Sequence, residues 1–166
     1  MAMMTSTAVL LEFLAHQGVS YQTFSHEVCR SSDECARVRS AHGAGHAIGA
    51  KALVMRCVRG GEMRMFVLPG NRKLDNRALR ERVGSCRLAS AAELLWVTGG
   101  LVPGAVPPLI LPTMSEIRSI DVDVSLRDHH HIGFNAASLT QSVIMPTVDY
   151  FSLIGAGVVV SRFTSV

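Results

Sequence analysis

The amino-acid sequence predicts one α+β domain with a mixed, mostly antiparallel sheet and flanking helices. The chain has 166 residues, 48% apolar and 17% charged, so it can bury one sizeable core. Helical and strand patterns intermix without a regular β-α-β rhythm, which favours a mixed or antiparallel sheet. No repeat, low-complexity tract or linker divides the chain, so residues 1–166 are predicted to form a single domain.

The first elements follow from apolar spacing and a helix cap. Apolar residues at helical spacing predict an amphipathic helix over residues 5–17, and alternation predicts a short strand over residues 21–26. Ser31 followed three residues later by Glu34 is typical of a capping box, which opens a second helix. The small, glycine-rich segment 41–49 is predicted to be a loop.

The centre of the chain contains the clearest hairpin. Apolar runs over residues 52–58 and 63–68 flank a polar, glycine-containing turn, and residues 69–71 form a second turn. Asp75 and Gly84 are the expected N-cap and C-terminal stop of a helix.

The second half of the chain continues the mixture of helices and strands. Ser90 and Glu93 form a second capping box, whose helix stops before the glycines at 99 and 100. Alternation predicts a half-buried strand over residues 117–126. Further elements are expected in order: strands at 132–134 and 138–145, a short helix from Pro146, and a closing strand over 158–163.

The charge balance allows a local basic groove but no basic tail. Lys and Arg total 16 against 13 for Asp and Glu, a formal net charge of +3. Lysine is rare, since only Lys51 and Lys73 accompany 14 arginines. A modest positive charge fits a weak, salt-sensitive anionic partner, and we expect neither DNA nor a membrane as a partner.

The sequence predicts a cytoplasmic protein with reduced thiols. Its four cysteines are few for a disulfide scaffold, and none form a C-x-x-C pair. The N-terminus carries no signal-peptide pattern. Residues 94–115 are uncharged and long enough to span a bilayer, but their glycines and prolines predict an apolar loop instead.

Several familiar site motifs are absent from the sequence. There is no G-x-G-x-x-G, no phosphate-binding P-loop and no G-x-S-x-G. The histidine triplet at 129–131 alternates between two faces of a strand, and no H-E-x-x-H or C-x-x-C supplies partner ligands. We therefore expect a surface turn there, and no metal or other cofactor.

Three segments in order carry a resemblance to a known family. A lysine enters an apolar strand at G-A-K-A-L-V-M-R (49–56), a turn reads V-L-P-G-N-R-K-L-D (67–75), and L-A-S-A-A-E-L (88–94) precedes T-G-G-L-V-P-G-A-V-P-P (98–108). Together they resemble the YbaK/prolyl-tRNA-synthetase-associated editing domains, over roughly residues 5–160.

The resemblance implies hydrolysis of a wrong amino acid from the 3′ end of a tRNA. It makes Lys51 and Gly104 the catalytic candidates, and makes the loop after Gly104 a wall of the aminoacyl pocket. The remaining loop residues are Ala105, Val106, Pro107 and Pro108.

Elementary chemistry is compatible with that implication. An aminoacyl ester is already activated, so holding the ester, a water and the neighbouring ribose hydroxyl in line could supply much of the rate. Lys51 would add a compact positive charge for a phosphate or for charge on the carbonyl oxygen. The alternative is a surface lysine whose stem lies along the sheet edge.

The resemblance also implies less specific pocket residues, each with an alternative. His26 could face the pocket or be a capping, partly buried histidine, and His130 could line the same pocket. Asn135, Ala136 and Ala137 occupy a turn that usually contains glycine in relatives. Alanine at 137 would narrow the site or shift the backbone.

Basic residues near the second motif are candidates for contacts with tRNA phosphates. They are Arg72, Lys73, Arg77 and Arg80. A solvated helix face is the alternative.

The expected function is a trans-acting deacylase that removes a small amino acid, such as alanine or cysteine, from a proline or similar tRNA. A separate hydrolytic site is useful because a pocket distinguishes one methylene by only ~1–3 kcal/mol. Two alternatives remain open: a catalytically silent module of the same fold that holds a tRNA end or small ligand, and a subunit that docks on a synthetase. The altered turn at Ala136 and Ala137 is the feature that keeps the catalytically silent module open as an alternative.

Overall fold

The computed structural model describes residues 4–155 and 158–166 and has the predicted α+β architecture. The helices are α1 (Thr7–His16), α2 (Ser32–Ala41), α3 (Asn76–Val83), α4 (Ala91–Thr98) and α5 (Thr147–Ile154). The strands are β1 (Gln22–Ser25), β2 (Ile48–Cys57), β3 (Met63–Pro69), β4 (Lys73–Leu74), β5 (Cys86–Leu88), β6 (Ile117–Asp123), β7 (His131–Asn135), β8 (Gln141–Pro146), β9 (Val159–Ser161) and β10 (Thr164–Ser165).

The main sheet is mixed, as the sequence predicts. Its described strands lie in the order β1-β8-β7-β2-β3-β6-β9, with β5 also paired to β2, while β4 and β10 form a small separate sheet. The hairpin of β2 and β3 is antiparallel, whereas β2 runs parallel to β7 at its first residues. This parallel pairing places the start of β2, just before Lys51, in the middle of the sheet.

The described helices cover both faces of the sheet. On β3, Met65 and Val67 contact the larger core with α1, α4 and α5, whereas Phe66 and Leu68 contact a smaller core with α3. Successive side chains of a strand point to opposite faces, so a strand buried on both sides is continuously apolar. That explains the apolar run over 65–68, which follows Arg64.

The uncharged stretch over 94–115 starts in α4 and continues as an irregular segment. Its loop buries Leu101, Leu109, Leu111 and Met114 in the larger core, which is why a loop here is so poor in polar side chains. In the part of the chain that the structure describes, no helix has both the length and the apolarity to cross a bilayer.

The predicted strand over 117–126 is too long. The strand β6 ends at Asp123, and a 3-10 helix follows over Val124–Asp128. The Asp123 carboxylate accepts hydrogen bonds from the backbone N–H of Ser125 at 3.1 Å and of Phe163 at 2.7 Å. This cap turns the chain away from the sheet. The predicted closing strand over 158–163 is also too long, since β9 covers only Val159–Ser161 and a separate strand, β10, follows at Thr164.

The prediction of four reduced thiols is wrong. The structure pairs Cys29 with Cys35 and Cys57 with Cys86 as disulfides, with Cα–Cα distances of 5.1 and 4.1 Å. The second pair forms because the β2–β5 register sets Cys57 directly opposite Cys86. Neither pairing has the C-x-x-C spacing that a sequence search would find.

Ala137 adopts a glycine-like backbone conformation, with φ of 58°. It is the only non-glycine residue with positive φ among those described, so the turn keeps its shape at a cost in strain. We expect Ala137→Gly to raise the free energy of unfolding by about 0.5–1 kcal/mol, because glycine tolerates this conformation. Urea denaturation measures the change. The control Ala136→Gly is expected to destabilise, since Ala136 is fully buried in the larger core.

Candidate functional site

A cavity of about 730 Å³ opens where four segments of the chain meet. These segments are the N-terminal half of β2, the first turn of α2, the turn over residues 70–73, and the glycine–proline loop near residues 103–106. The volume lies within the ~300–1,000 Å³ range of small-molecule sites. Both Lys51 and Gly104 line this cavity, which we call the cleft.

The cleft concentrates positive charge. Its basic lining residues are Arg30, Arg39, Lys51, Arg72 and Lys73, and its one acidic lining residue is Asp33. The whole chain has a formal net charge of only +3, so the cleft is far more basic than the average surface. The N-terminus of α2, capped by Ser31, adds the positive end of a helix dipole. The cleft therefore suits an anionic ligand such as a nucleotide end.

Lys51 is exposed on β2, opposite Leu68 of β3. None of the ion pairs among the described residues includes Lys51. The turn after β3 approaches closely, since the N–H of Gly70 donates to the carbonyl of Gly49 at 2.8 Å. A Cβ at Gly70 would lie 3.2 Å from Cβ of Ser32, so glycine allows this turn to pack on α2. The ammonium of Lys51, exposed at the cleft and without an ion-pair partner among the described residues, is therefore available to a ligand.

Gly104 lines the cleft from the loop that follows α4. Its φ is +90°, and a Cβ at this position would lie 3.1 Å from the carbonyl oxygen of Arg30 and 3.3 Å from Leu139. Glycine is therefore required both for the backbone conformation and for close contact with the loop before α2.

Asn135 joins this loop to the rest of the site. Its side-chain Nδ2 donates to the carbonyl of Gly104 at 3.0 Å and to the carbonyl of Cys29 at 3.1 Å. The residue is 5% exposed and lines the cleft at the end of β7. One amide thus ties the glycine–proline loop to the β1–α2 loop, and both loops form walls of the cleft.

Arg39 is the residue that sequence reasoning missed. It lies on α2, is only 6% exposed, and lines the cleft. Its Nη2 donates to Asn135 Oδ1 at 3.1 Å and its Nε to Ser142 Oγ at 3.0 Å. Burial lowers its pKa to about 10, so it remains charged near neutral pH. A signal existed, because Cys35, Val38 and Arg39 recur at i, i+3 and i+4 on the buried face of α2.

His26 lies behind the cleft rather than on its wall. It is 8% exposed, with Nδ1 at 2.7 Å from the carbonyl of Glu27 and Nε2 at 2.8 Å from Ser142 Oγ. A carbonyl only accepts, so Nδ1 carries the proton and Nε2 accepts the Ser142 hydroxyl. The Ser142 oxygen in turn accepts from Arg39 Nε. His26 therefore contacts Arg39 through Ser142, and the expectation that it faces the pocket is wrong.

Part of the predicted pocket wall lies elsewhere. Val106 lines the cleft, but Ala105, Pro107 and Pro108 do not. The two prolines are buried, and the hydroxyl of Tyr150 donates to the Pro108 carbonyl at 2.5 Å. This segment anchors the loop in the larger core, where burial strongly raises the Tyr150 pKa.

The turn at Ala136 and Ala137 also lies outside the cleft lining. Ala136 is buried and its N–H donates to the carbonyl of Gln141 at 2.9 Å, closing the β7–β8 hairpin. Alanine at 137 therefore neither narrows the cleft nor shifts the turn out of its left-handed conformation. The alanines that kept the silent module open as an alternative are thus not among the residues that line the cleft.

His130 does not line the cleft. It lies on a second cavity, of about 670 Å³, with Arg127, His129 and Thr147 of α5. The reason is topological, since β7 begins at His131 and only its far end, at Asn135, reaches the cleft. No cluster of three potential metal ligands occurs within the described ranges 4–155 and 158–166.

Only some of the residues predicted to contact tRNA phosphates line the cleft. Arg72 and Lys73 line the cleft, whereas Arg77 does not and instead pairs with Glu81 at 3.3 Å on an exposed face of α3. Arg72 also donates through Nε to Thr164 Oγ1 at 2.6 Å, which joins it to the small β4–β10 sheet. Lys73 is exposed at the rim.

Comparisons with known proteins agree on one family. The family model described as the aminoacyl-tRNA editing domain matches residues 26–153. The Multifunctional Ser/Thr-tRNA deacylase ProXp-y of Escherichia coli (strain K12) is 30% identical over 149 residues, covering 87% of this chain and 85% of the relative.

Solved structures share the fold. The crystal structure of a hypothetical protein superposes with a TM-score of 0.78 at 23% identity, covering 95% of this chain and 99% of its own. A crystal structure described as a candidate trans-editing enzyme for prolyl tRNA synthetase superposes with a TM-score of 0.70 at 22% identity, covering 94% and 96%.

Proposed function

This chain belongs to the aminoacyl-tRNA editing domain family and is an aminoacyl-tRNA deacylase, and on that premise we propose that it acts in trans on tRNA mischarged with a small, hydroxyl-bearing amino acid. The observation that carries the proposal is the one cleft that both Lys51 and Gly104 line. The relative from Escherichia coli, named as a tRNA deacylase, supports the deacylation, and the trans-acting part of the proposal keeps the expectation from the sequence.

The proposed reaction is hydrolysis of the ester between the amino acid and the terminal ribose. Water adds to the carbonyl carbon, the bond to the ribose oxygen breaks, and that oxygen leaves with a proton as a free hydroxyl. Negative charge develops on the carbonyl oxygen during this step, and the nearby ammonium of Lys51 stabilises it. The fixed walls of the cleft contribute by holding the ester and water in one orientation.

The basic rim supports binding of the tRNA end. Lys73 is exposed beside the cleft and offers a charge to a terminal phosphate, and Arg72 contributes the part of its guanidinium not bound to Thr164. We expect weak binding, because few cations take part, and binding that weakens further as salt rises, because each phosphate contact releases counterions. Docking on a synthetase would compensate for weak affinity, and it remains part of the proposal.

Serine and threonine are the first candidate amino acids. The relative from Escherichia coli is named for Ser/Thr-tRNA, whereas alanine or cysteine on a proline tRNA is the expectation from the sequence alone. The cleft favours a hydroxyl, because Arg39 and Asn135 line it with buried polar groups.

The test is a panel of tRNAs mischarged with serine, threonine, alanine or cysteine, each incubated with the protein and scored for loss of the ester. We expect serine and threonine to be released fastest, by about tenfold over alanine. Release of none of the four, by a protein whose circular dichroism shows a folded chain, would refute the proposal. Faster release of alanine or cysteine would move the substrate to the second candidate.

A further inference from the structure

Arg39 presents to the cleft a hydrogen-bond donor that the described residues leave without an acceptor. Its Nε and Nη2 donate to Ser142 and Asn135, as described above. No hydrogen bond from Nη1 and no carboxylate partner for the guanidinium occur among the described residues. Buried charges are ordinarily paired, so an unpaired donor at a binding site is a candidate ligand contact.

Two glycines make the space in which this guanidinium lies. Gly49 of β2 and Gly133 of β7 are direct neighbours in the parallel pairing. A Cβ at Gly133 would lie 3.2 Å from Arg39 Cδ, and a Cβ at Gly49 would lie 3.4 Å from Arg39 Nη1. Gly49 lines the cleft, so Nη1 borders the cleft at a point where no side chain covers it.

The position of Arg39 in the cleft decides which part of a ligand reaches it. Lys51 and Lys73 are exposed at the rim, whereas Arg39 is 6% exposed. With the terminal phosphate at the exposed Lys73, the amino acid is the part of the substrate that lies deeper in the cleft, and its side chain is the group that reaches Arg39. The acceptors that Arg39 already has, a hydroxyl and an amide oxygen, are both neutral.

We propose that Arg39 is a specificity-determining residue whose Nη1 donates a hydrogen bond to the side-chain hydroxyl of an esterified serine or threonine. The inference rests on the proposed function and deepens it. Alanine offers Nη1 no acceptor, and the thiol of cysteine is a weak acceptor. A site that hydrogen-bonds a substrate group rejects the analogue that lacks it far better than an apolar pocket does.

The experiment compares kcat/KM for one tRNA carrying serine, alanine or aspartate, with the wild-type protein, Arg39→Met and Gly49→Ala. Methionine keeps much of the aliphatic stem and removes all donors. Gly49→Ala leaves the internal hydrogen bonds of Arg39 intact and places a methyl group beside Nη1, in strand geometry without positive φ. We expect the serine-to-alanine ratio to fall from about tenfold or more to within ~threefold in both variants.

The serine-to-alanine ratio distinguishes recognition of the substrate hydroxyl from a purely structural role of Arg39. A structural defect would slow hydrolysis of all three esters equally. Such a uniform loss, or an unchanged ratio in a folded variant, would overturn the proposal. If Arg39→Met does not fold, the serine-to-alanine ratio of the Gly49→Ala variant tests the proposal by itself. Aspartate as the fastest ester would reassign Arg39 to a carboxylate and overturn the hydroxyl assignment. Failure of the wild type on every ester would overturn the proposed function together with this inference.

Discussion

Lys51→Ala is expected to lower kcat for deacylation by about 10²-fold or more, because it removes the ammonium that stabilises the developing charge on the ester oxygen. The fold should persist, since Lys51 is exposed and makes no ion pair within the described part of the chain. Single-turnover hydrolysis of a mischarged tRNA measures the effect, with thermal unfolding as the check on stability.

The chain supplies a matched control in Lys73, its only other lysine, which also lines the cleft. Lys73→Ala is expected to raise KM with little change in kcat, because Lys73 contacts only the polynucleotide in the proposed complex. Lys51→Arg keeps the charge but spreads it over a planar fork, so we expect partial activity. Near-wild-type kcat in a folded Lys51→Ala protein would disprove the assigned role.

Gly104→Ala is the second large effect that we expect. The added Cβ would meet the Arg30 carbonyl oxygen at 3.1 Å in a backbone conformation with φ of +90°, so the loop must move. Displacement of the loop disturbs the bond from Asn135 Nδ2 to the Gly104 carbonyl and opens the wall of the cleft. We expect a loss of ~2–3 kcal/mol in unfolding free energy and at least ~10²-fold in kcat/KM.

Gly18→Ala is the control that separates the strain of alanine at positive φ from the steric clash that an added Cβ would make at Gly104. Gly18 has φ of +69°, and a Cβ there would meet nothing within 4 Å. This control should lose only ~1 kcal/mol in stability, and it should keep full deacylase activity. If the two variants lost equal activity, the loss would reflect general destabilisation, and the contact between Gly104 and the β1–α2 loop would have no role in the cleft.

Local features of the sequence predicted most of the secondary structure. The side chains of Ser31 and Ser90 accept backbone hydrogen bonds at the starts of α2 and α4, as their spacing to Glu34 and Glu93 predicts. Helix caps act within one turn of the chain, so they are visible in a few consecutive residues. The strand over 117–126 was predicted too long because the cap that ends it depends partly on Phe163, which is distant in sequence.

The candidate site was only partly predictable for the same reason. Lys51 and Gly104 were candidates because the motifs around them resemble those of the family, and both line one cleft. Arg39 was missed because its partners, Asn135 and Ser142, lie 96 and 103 residues away. His130 was misplaced because proximity in sequence to Asn135 does not reveal which end of β7 reaches the cleft.

The sequence by itself determined most of the elements of this protein and its mixed sheet, since periodicity, caps and turns are encoded locally. The family resemblance named Lys51 and Gly104, which both line one cleft. Tertiary structure alone decided the disulfide pairs, the burial of His26 and Ala136, and the place of Arg39 at the floor of the cleft. The physical reason is that burial and hydrogen-bond partnership depend on strand register, which brings Gly49 beside Gly133 and leaves room for a guanidinium between distant segments.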